Sequence, residues 1–303
     1  MATTITATSR HLAGAPATIS STINNSNGDP DLTVTAATVT IVRGDGTTLV
    51  AATSATQGSD GAWTYALTGP QTAQLDYLTA TWTVAGITRA VTVHEIVGGF
   101  YFTLTDARAA DPSLASATYS DGQLLAARRE VEDEFERLTG VSFVPRYRRI
   151  RVGPNQINSI YARQLKLPNG MVRRIRSVRV MFPDQTYTTF TDRQLAALVV
   201  NDSGIVSRTD SSIFYPGPAY SYVFEYEHGY DICPSDVRRA AITRLRMRAN
   251  MGKNAIPDRA TSFSIDQGGT YRLDTPDERK LGVPEIDAVL DRYRPKAQWY
   301  GIA

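Results

Sequence analysis

The chain has 303 residues, 42% hydrophobic and 20% charged, with a formal net charge of +2. That is material for two cores, and no strong field of either sign points to nucleic acid or a membrane surface. One cysteine, Cys233, excludes an internal disulfide framework, and His11, His94 and His228 lie too far apart for metal-ligand spacing.

No apolar run approaches the ~20 residues of a membrane span. The start, Met1-Ala-Thr-Thr-Ile-Thr, lacks the charged and apolar segments of a signal peptide. The expected setting is therefore a cytoplasm-like compartment, or something assembled there.

Residues 1–99 hold three basic residues (Arg10, Arg43, Arg89) against six acidic ones, a net of −3. The remainder holds 29 basic against 24 acidic, a net of +5. Composition and periodicity change together near Gly98-Gly99. Ahead of that point, short alternating runs such as Thr38–Val42, Ala62–Ala66, Leu78–Val84 and Arg89–His94 are separated by Gly/Asp turns. Strands so spaced predict an antiparallel, immunoglobulin-like β-sandwich over residues 1–98. Trp63 and Trp82 are candidates for its core, or alternatively for an aromatic platform that binds glycans. His94 reads as a passive strand residue.

Ser120 and Gln123 have the spacing of a capping box, and Leu124, Ala127, Val131, Phe135 and Leu138 follow at helical intervals. Gly140 suits a left-handed cap and Pro145 forbids continuation, which predicts a helix over about 120–139. Its other face carries Glu130, Glu132, Asp133, Glu134 and Glu136. Residues 146–227 alternate again and predict an antiparallel β insertion, with Pro168-Asn-Gly170 as a hairpin-type turn. A second helix starts at Pro234-Ser-Asp and runs to about 251, and its exposed positions are basic: Arg238, Arg239, Arg244, Arg246 and Arg248. A third covers about 284–293. Between them, 261–273 forms two extended runs around Gly268-Gly269, with too little apolar material for a core.

Arg146, Arg148, Arg149 and Arg151, then Arg173, Arg174, Arg176 and Arg179, could grip phosphates. Their alternation with Tyr147, Ile150, Val152, Ile175 and Val178 favours the solvated face of half-buried strands. No nucleophile elbow, P-loop, Rossmann glycine set or metal motif occurs, and His228 reads as a turn residue rather than a base. An enzyme is not expected, and neither is a cofactor.

Several segments resemble the head-to-tail connector proteins of long-tailed bacteriophages, particularly the actinobacteriophage type. They are Glu130-x-Glu132 with Phe135-Glu-Arg-Leu-Thr-Gly-Val-Ser-Phe-Val-Pro-Arg146, the Leu-Pro-Asn-Gly turn at 167–170, and Gly229-Tyr…Cys-Pro-Ser-Asp-Val-Arg-Arg-Ala240. Gly268-Gly-Thr-Tyr-Arg-Leu…Thr-Pro and Gly282-Val-Pro-Glu-Ile-Asp-Ala-Val-Leu-Asp-Arg-Tyr293 complete the series, which spans roughly 100–295. The resemblance implies an α+β chain in which a connector domain, 99–303, follows the sandwich. It implies a structural virion protein at the capsid–tail neck, assembled in the host cytoplasm as a dodecameric ring. Its partners would be the portal protein, a downstream neck or tail-completion protein, and genomic DNA in passing, with no membrane.

On that reading the acidic helix face and the basic one meet between subunits. The expected ring-interface residues are Glu130, Asp133, Glu134, Arg238, Arg239, Arg244 and Arg246. Phe263, Ile265, Tyr271, Arg272 and Leu273 are the expected portal-docking arm. Two alternatives compete: a cell-surface or glycan-binding protein led by the sandwich, and a sequence-independent DNA-binding protein built on 146–180.

Overall fold

A computed structural model describes residues 9–58, 60–152, 164–182, 186–210, 214, 221–250 and 280–294 in full, and the backbone of 262–265 and 269–272. The chain is α+β. It divides into two compact units: Met1–Gly99, Pro145–Leu167 and Met171–Gly229 form one, and Phe100–Val144, Pro168–Gly170 and Tyr230–Ala303 form the other. The compositional boundary near Gly98 falls at the end of a strand. Packing nevertheless groups the β-rich residues after Pro145 with those ahead of that boundary. The helices are α1 (Leu104–Ala110), α2 (Asp121–Thr139), α3 (Asp192–Ala196), α4 (Ser235–Asn250) and α5 (Pro284–Tyr293).

The first eight strands are β1 (Ser9–Leu12), β2 (Ala17–Thr22), β3 (Thr38–Arg43), β4 (Thr48–Ser54), β5 (Thr56–Gln57), β6 (Ala62–Leu67), β7 (Asp76–Val84) and β8 (Ile87–Val97). They form a five-stranded sheet, β1-β8-β7-β3-β4, and a three-stranded sheet, β2-β6-β5. That is the strand order of an immunoglobulin-type sandwich. Every pairing is antiparallel except the one between β1 and β8. Alternation sends Leu78, Ala80 and Trp82 of β7 inward against Ile19, Val39, Ile41 and Trp63. Trp63 and Trp82 are both buried. Each removes on the order of 200 Å² from water, roughly 5 kcal/mol as an upper bound, so neither serves as a surface platform.

The rest of this unit comprises α3 and the strands β9 (Arg146–Val152), β10 (Gln164–Lys166), β11 (Val172–Met181), β12 (Tyr187–Thr189), β13 (Leu198–Val200), β14 (Ile205–Arg208) and β15 (Ser221–His228). Two antiparallel sheets result, β12-β11-β15-β9 and β10-β14-β13. They share a core in which Leu165 of β10 and Val206 of β14 join Ile150, Val152, Val178, Tyr222, Phe224 and Tyr226. β15 is central and buried at every position but Glu227, because its side chains find partners on both faces. Pro168-Asn-Gly170 is a bend, but it does not close a hairpin: β10 pairs with β14, and β11 pairs with β12 and β15. His228 ends β15 and is buried, so it is not the turn residue that the sequence suggested.

The second unit is helical. Ser120 and Gln123 form both halves of the capping box on α2, and Gly140 caps its end at φ 69°. Nineteen residues at ~1.5 Å each give a rod of roughly 28 Å. Leu124, Val131, Phe135 and Leu138 of α2 pack on Val237, Ala241 and Leu245 of α4 and on Ile286 and Leu290 of α5. Ala240 and Ala241 keep the α4 surface low where the neighbouring rods meet it. Two further strands, β16 (Ser262–Ile265) and β17 (Gly269–Arg272), pair antiparallel as a ribbon.

Candidate assembly surfaces

The acidic face of α2 is largely turned into its own chain. Glu134 and Arg244 are both buried, and Arg244 Nε and Nη2 donate to the two carboxylate oxygens at 2.9 and 3.0 Å. Arg248 Nη2 donates to the same group at 2.9 Å. Burial alone would raise the Glu134 carboxyl, but the Arg244 and Arg248 guanidiniums outweigh it and hold the group below the usual carboxylate range. Glu134 and Arg244 were expected to meet across subunits. They instead satisfy each other within one, since two charges this far from water need partners in place.

Two more glutamates behave alike. Glu132 is 1% exposed and accepts from the Tyr101 N–H at 3.1 Å. Glu136 accepts from the Tyr101 hydroxyl at 3.2 Å and from Ser142 Oγ at 3.0 Å. Arg128, one turn from Glu132, lies over the Phe100 ring at 3.8 Å and donates to the Phe102 carbonyl. These contacts fix the 100–103 segment on α2. The Arg128/Glu132 spacing marks a helical pair in the sequence, but spacing says nothing of burial.

What remains exposed from the expected interface is Glu130 and Asp133 on α2, and Arg238, Arg239 and Arg246 on α4. Asp133 lies 3.9 Å from Arg129, and Arg246 lies 3.6 Å from Asp111. Ile232, just ahead of α4, is 76% exposed, and Leu125 on α2 is 43% exposed. Of the expected docking arm, Phe263 and Ile265 lie on β16, while Tyr271 and Arg272 lie on β17, with Phe263 opposite Tyr271. The two runs thus pair with each other. Leu273 lies outside the described residues.

Three segments of the helical unit converge on one aromatic cluster. Phe143 stacks on Tyr230 with centroids 5.8 Å apart, and meets Tyr293 edge-on at 5.2 Å. Tyr230 and Tyr293 meet at 6.0 Å. Tyr293 also donates to Asp236 at 2.8 Å, tying α5 to the start of α4. Within α5, the Asp287 carboxylate accepts the N–H groups of Leu281, Gly282 and Val283 at 2.8–3.2 Å. That arrangement fixes the entry into the helix.

In the first unit the arginine-rich strands carry their own counter-charges. Glu225 accepts from Ser177 Oγ at 3.0 Å and lies within 4 Å of Arg149 and Arg179. Glu227 accepts from Arg176 at 2.7 Å and lies 3.8 Å from Arg173. Guanidiniums already neutralised this way offer little to phosphates. Arg146 departs from the solvated face expected of it. It is 3% exposed and donates to Glu95 Oε2 at 2.6 Å, and Arg10 donates to the same oxygen at 2.8 Å. Burial would raise Glu95, yet Arg146 and Arg10 together hold it down at about 2. No sequence signal joins residues 10, 95 and 146.

Among the described residues, no group of three or more His, Cys, Asp or Glu could hold a metal ion. Cys233 is buried, which pushes its thiol up to about 12 and makes it a poor nucleophile. No described helix is long and apolar enough to cross a membrane.

No family model matches the chain, and no curated protein matches it. Among solved structures, it is similar to a chain in the neck of an empty gene transfer agent particle computed with C6 symmetry. That likeness has 14% identity and a TM-score of 0.45, covering 66% of this chain and 93% of the other. A chain of the native gene transfer agent virion is similar over the same shares, with 14% identity and a TM-score of 0.47. A chain in the native neck computed with C12 symmetry is similar at 12% identity and a TM-score of 0.43, covering 68% and 98%.

Proposed function

We propose that the chain is a structural protein of a phage-type particle: an adaptor in the neck that forms a ring below the portal, joins capsid to tail and extends the DNA channel. The observation that carries this reading is the Phe143–Tyr230–Tyr293 cluster. Each ring comes from a different segment of the resemblance to head-to-tail connectors. Segments up to 150 residues apart thus build one helical core, as expected when a resemblance describes a fold unit rather than scattered coincidence.

In this role the helical unit supplies the ring. Glu130 and Asp133 of one subunit face Arg238, Arg239 and Arg246 of the next, a heterologous contact that closes on itself. The ribbon that carries Phe263, Ile265, Tyr271 and Arg272, together with Leu273, docks on the portal. Residues 1–98 form a display module, and the protein has no catalytic task. The particle's own assembly tests this. Particles made without the chain should be filled heads that lack tails, and the chain supplied in trans should restore the tails. Normally tailed particles in its absence would overturn the proposal.

A further inference from the structure

Two histidines remote in sequence, His11 and His94, meet at one edge of the sandwich. β1 is a four-residue strand that, among the described residues, lies at the edge of its sheet and pairs with β8, in the register Ser9↔His94 and Arg10↔Glu95. On one side, Ser9 Oγ lies 2.7 Å from His94 Nδ1 and 2.8 Å from His11 Nε2. His94 Nε2 lies 2.9 Å from Thr92 Oγ1, which accepts from Trp82 Nε1 at 3.0 Å. The indole can only donate, so the Thr92 hydroxyl is free to donate to a neutral His94. His94 Nδ1–H then donates to Ser9, and Ser9 donates to His11. On the other side of β1, Arg10 is bound to Glu95, which also binds Arg146 of β9. His228 of β15 stands opposite Arg146 in register.

Beyond β1 the chain turns through Gly14 at φ 76°, a left-handed conformation suited to glycine. Gly14 N–H donates to the Thr72 carbonyl, and Thr72 Oγ1 donates to the Ala15 carbonyl at 2.7 Å. The turn is thus anchored independently of the strand that precedes it.

We propose that β1 is an acid-released latch: neutral His94 and His11 hold it on the β8 edge, and their protonation frees it about Gly14 while the rest of the sandwich stays folded.

The charges facing the site explain why protonation opposes closure. His94 is 1% exposed, and its ring centroid is 5.6 Å from that of His11. Arg10 on β1 and Arg146 on β9 are cationic already, and Glu95 is committed to both. His228 and Arg148 add no negative charge, and Asp76 of β7 is turned to Arg43 and the Gly44 N–H. A proton on His94 therefore meets no free counter-ion while β1 is seated, whereas a released strand lets water solvate it. Burial, with His11 adding to it, lowers His94 to about 4. An opened site would return it toward 6.5, so acid drives opening.

Amide hydrogen exchange on the full chain tests the latch, with intrinsic rates corrected for pH. Between pH 7.5 and 4.5, protection of residues 10–13 should fall roughly 50- to 100-fold, and at every pH it should stay well below that of the β7 amides, which open only with the whole sandwich. In His94→Gln, the protection of residues 10–13 should change by less than a few-fold over that range. Unchanged protection in the natural chain, or protection of residues 10–13 equal to that of β7 at pH 4.5, would overturn the proposal. Should His94→Gln not fold, the imidazole titration of the natural chain decides. A His94 midpoint well below 6.5 in the latched protein supports the latch, and one at 6.5 contradicts it.

Discussion

Glu134 and Arg244, 110 residues apart in sequence, form a buried two-point ion pair between α2 and α4 of the same chain. Charge periodicity alone marks these residues as opposite outer faces. In the fold they are a fastening inside the helical unit, and a third group, Arg248, shares the carboxylate. A buried pair is expensive to break, because removing one partner leaves the other charged and unsolvated.

Glu134→Gln should therefore destabilise the helical unit by about 3–5 kcal/mol, read from denaturant unfolding. The loss should persist at high salt, since buried pairs are poorly screened. A loss under 1 kcal/mol would mean that the pair behaves as a surface contact.

Surface charges should act differently. Reversing Arg238 and Arg239 to Glu should leave folding within about 0.5 kcal/mol and weaken self-association. Reversing Glu130 and Asp133 to Arg on a second chain should restore association between the two variants. Sedimentation at low and moderate salt reads both effects. Unaltered association in the first variant would remove this face from the ring.

Acid stability should fall in two stages. His94 and His228 are held neutral, at about 4 and about 3, by burial first, with neighbouring positive charge adding to it. An unfolded chain takes up these protons near 6.5, so their contribution is complete above 6.5 and is lost as pH falls below it. The slope is up to about 1.4 kcal/mol per pH unit for each histidine. Glu95 runs from 4.5 in the unfolded chain to about 2 in the fold, so its contribution is lost only below about 4.5. Denaturant midpoints from pH 7.5 to 3.5 should show both stages, and a flat profile from 6.5 to 4.5 would refute the first.

A chain that begins at residue 99 sets the compositional boundary against the packing. Arg146 finds its carboxylate on Glu95, and Arg149 donates to the Gly44 carbonyl at 2.6 Å. Tyr147 packs near Tyr77, and a Cβ on Gly44 would lie 2.8 Å from the Tyr147 ring. The truncated chain should therefore keep its helical signal, while the sheet led by β9 loses several kcal/mol. Equal stability of that sheet with and without residues 1–98 would favour the boundary near Gly98.

Much of the helical unit is legible in the sequence because its signals are local. The capping box at Ser120, the stripe from Leu124 to Leu138 and Gly140 each act within a few residues. The sandwich is legible for the same reason, through alternation and turns. Partner choice is not local. Nothing in Glu132, Glu134 and Glu136 distinguishes a solvated face from acceptors for Tyr101, Ser142 and Arg244. The meeting of His11 with His94 depends on a parallel pairing between strands about 85 residues apart. The hairpin misread at Pro168-Asn-Gly170 has the same origin, since strand partners are set by the whole sheet and not by the turn.

A place in a particle neck can be seen in a cryo-electron microscopy reconstruction of tailed particles carrying this chain. The neck should hold a closed ring at the capsid–tail junction into which the α2, α4 and α5 unit fits, with Arg238 and Arg239 at the seam between copies. A neck with no density for these helices, with the chain absent from the particle or placed elsewhere on it, would rule out the adaptor role.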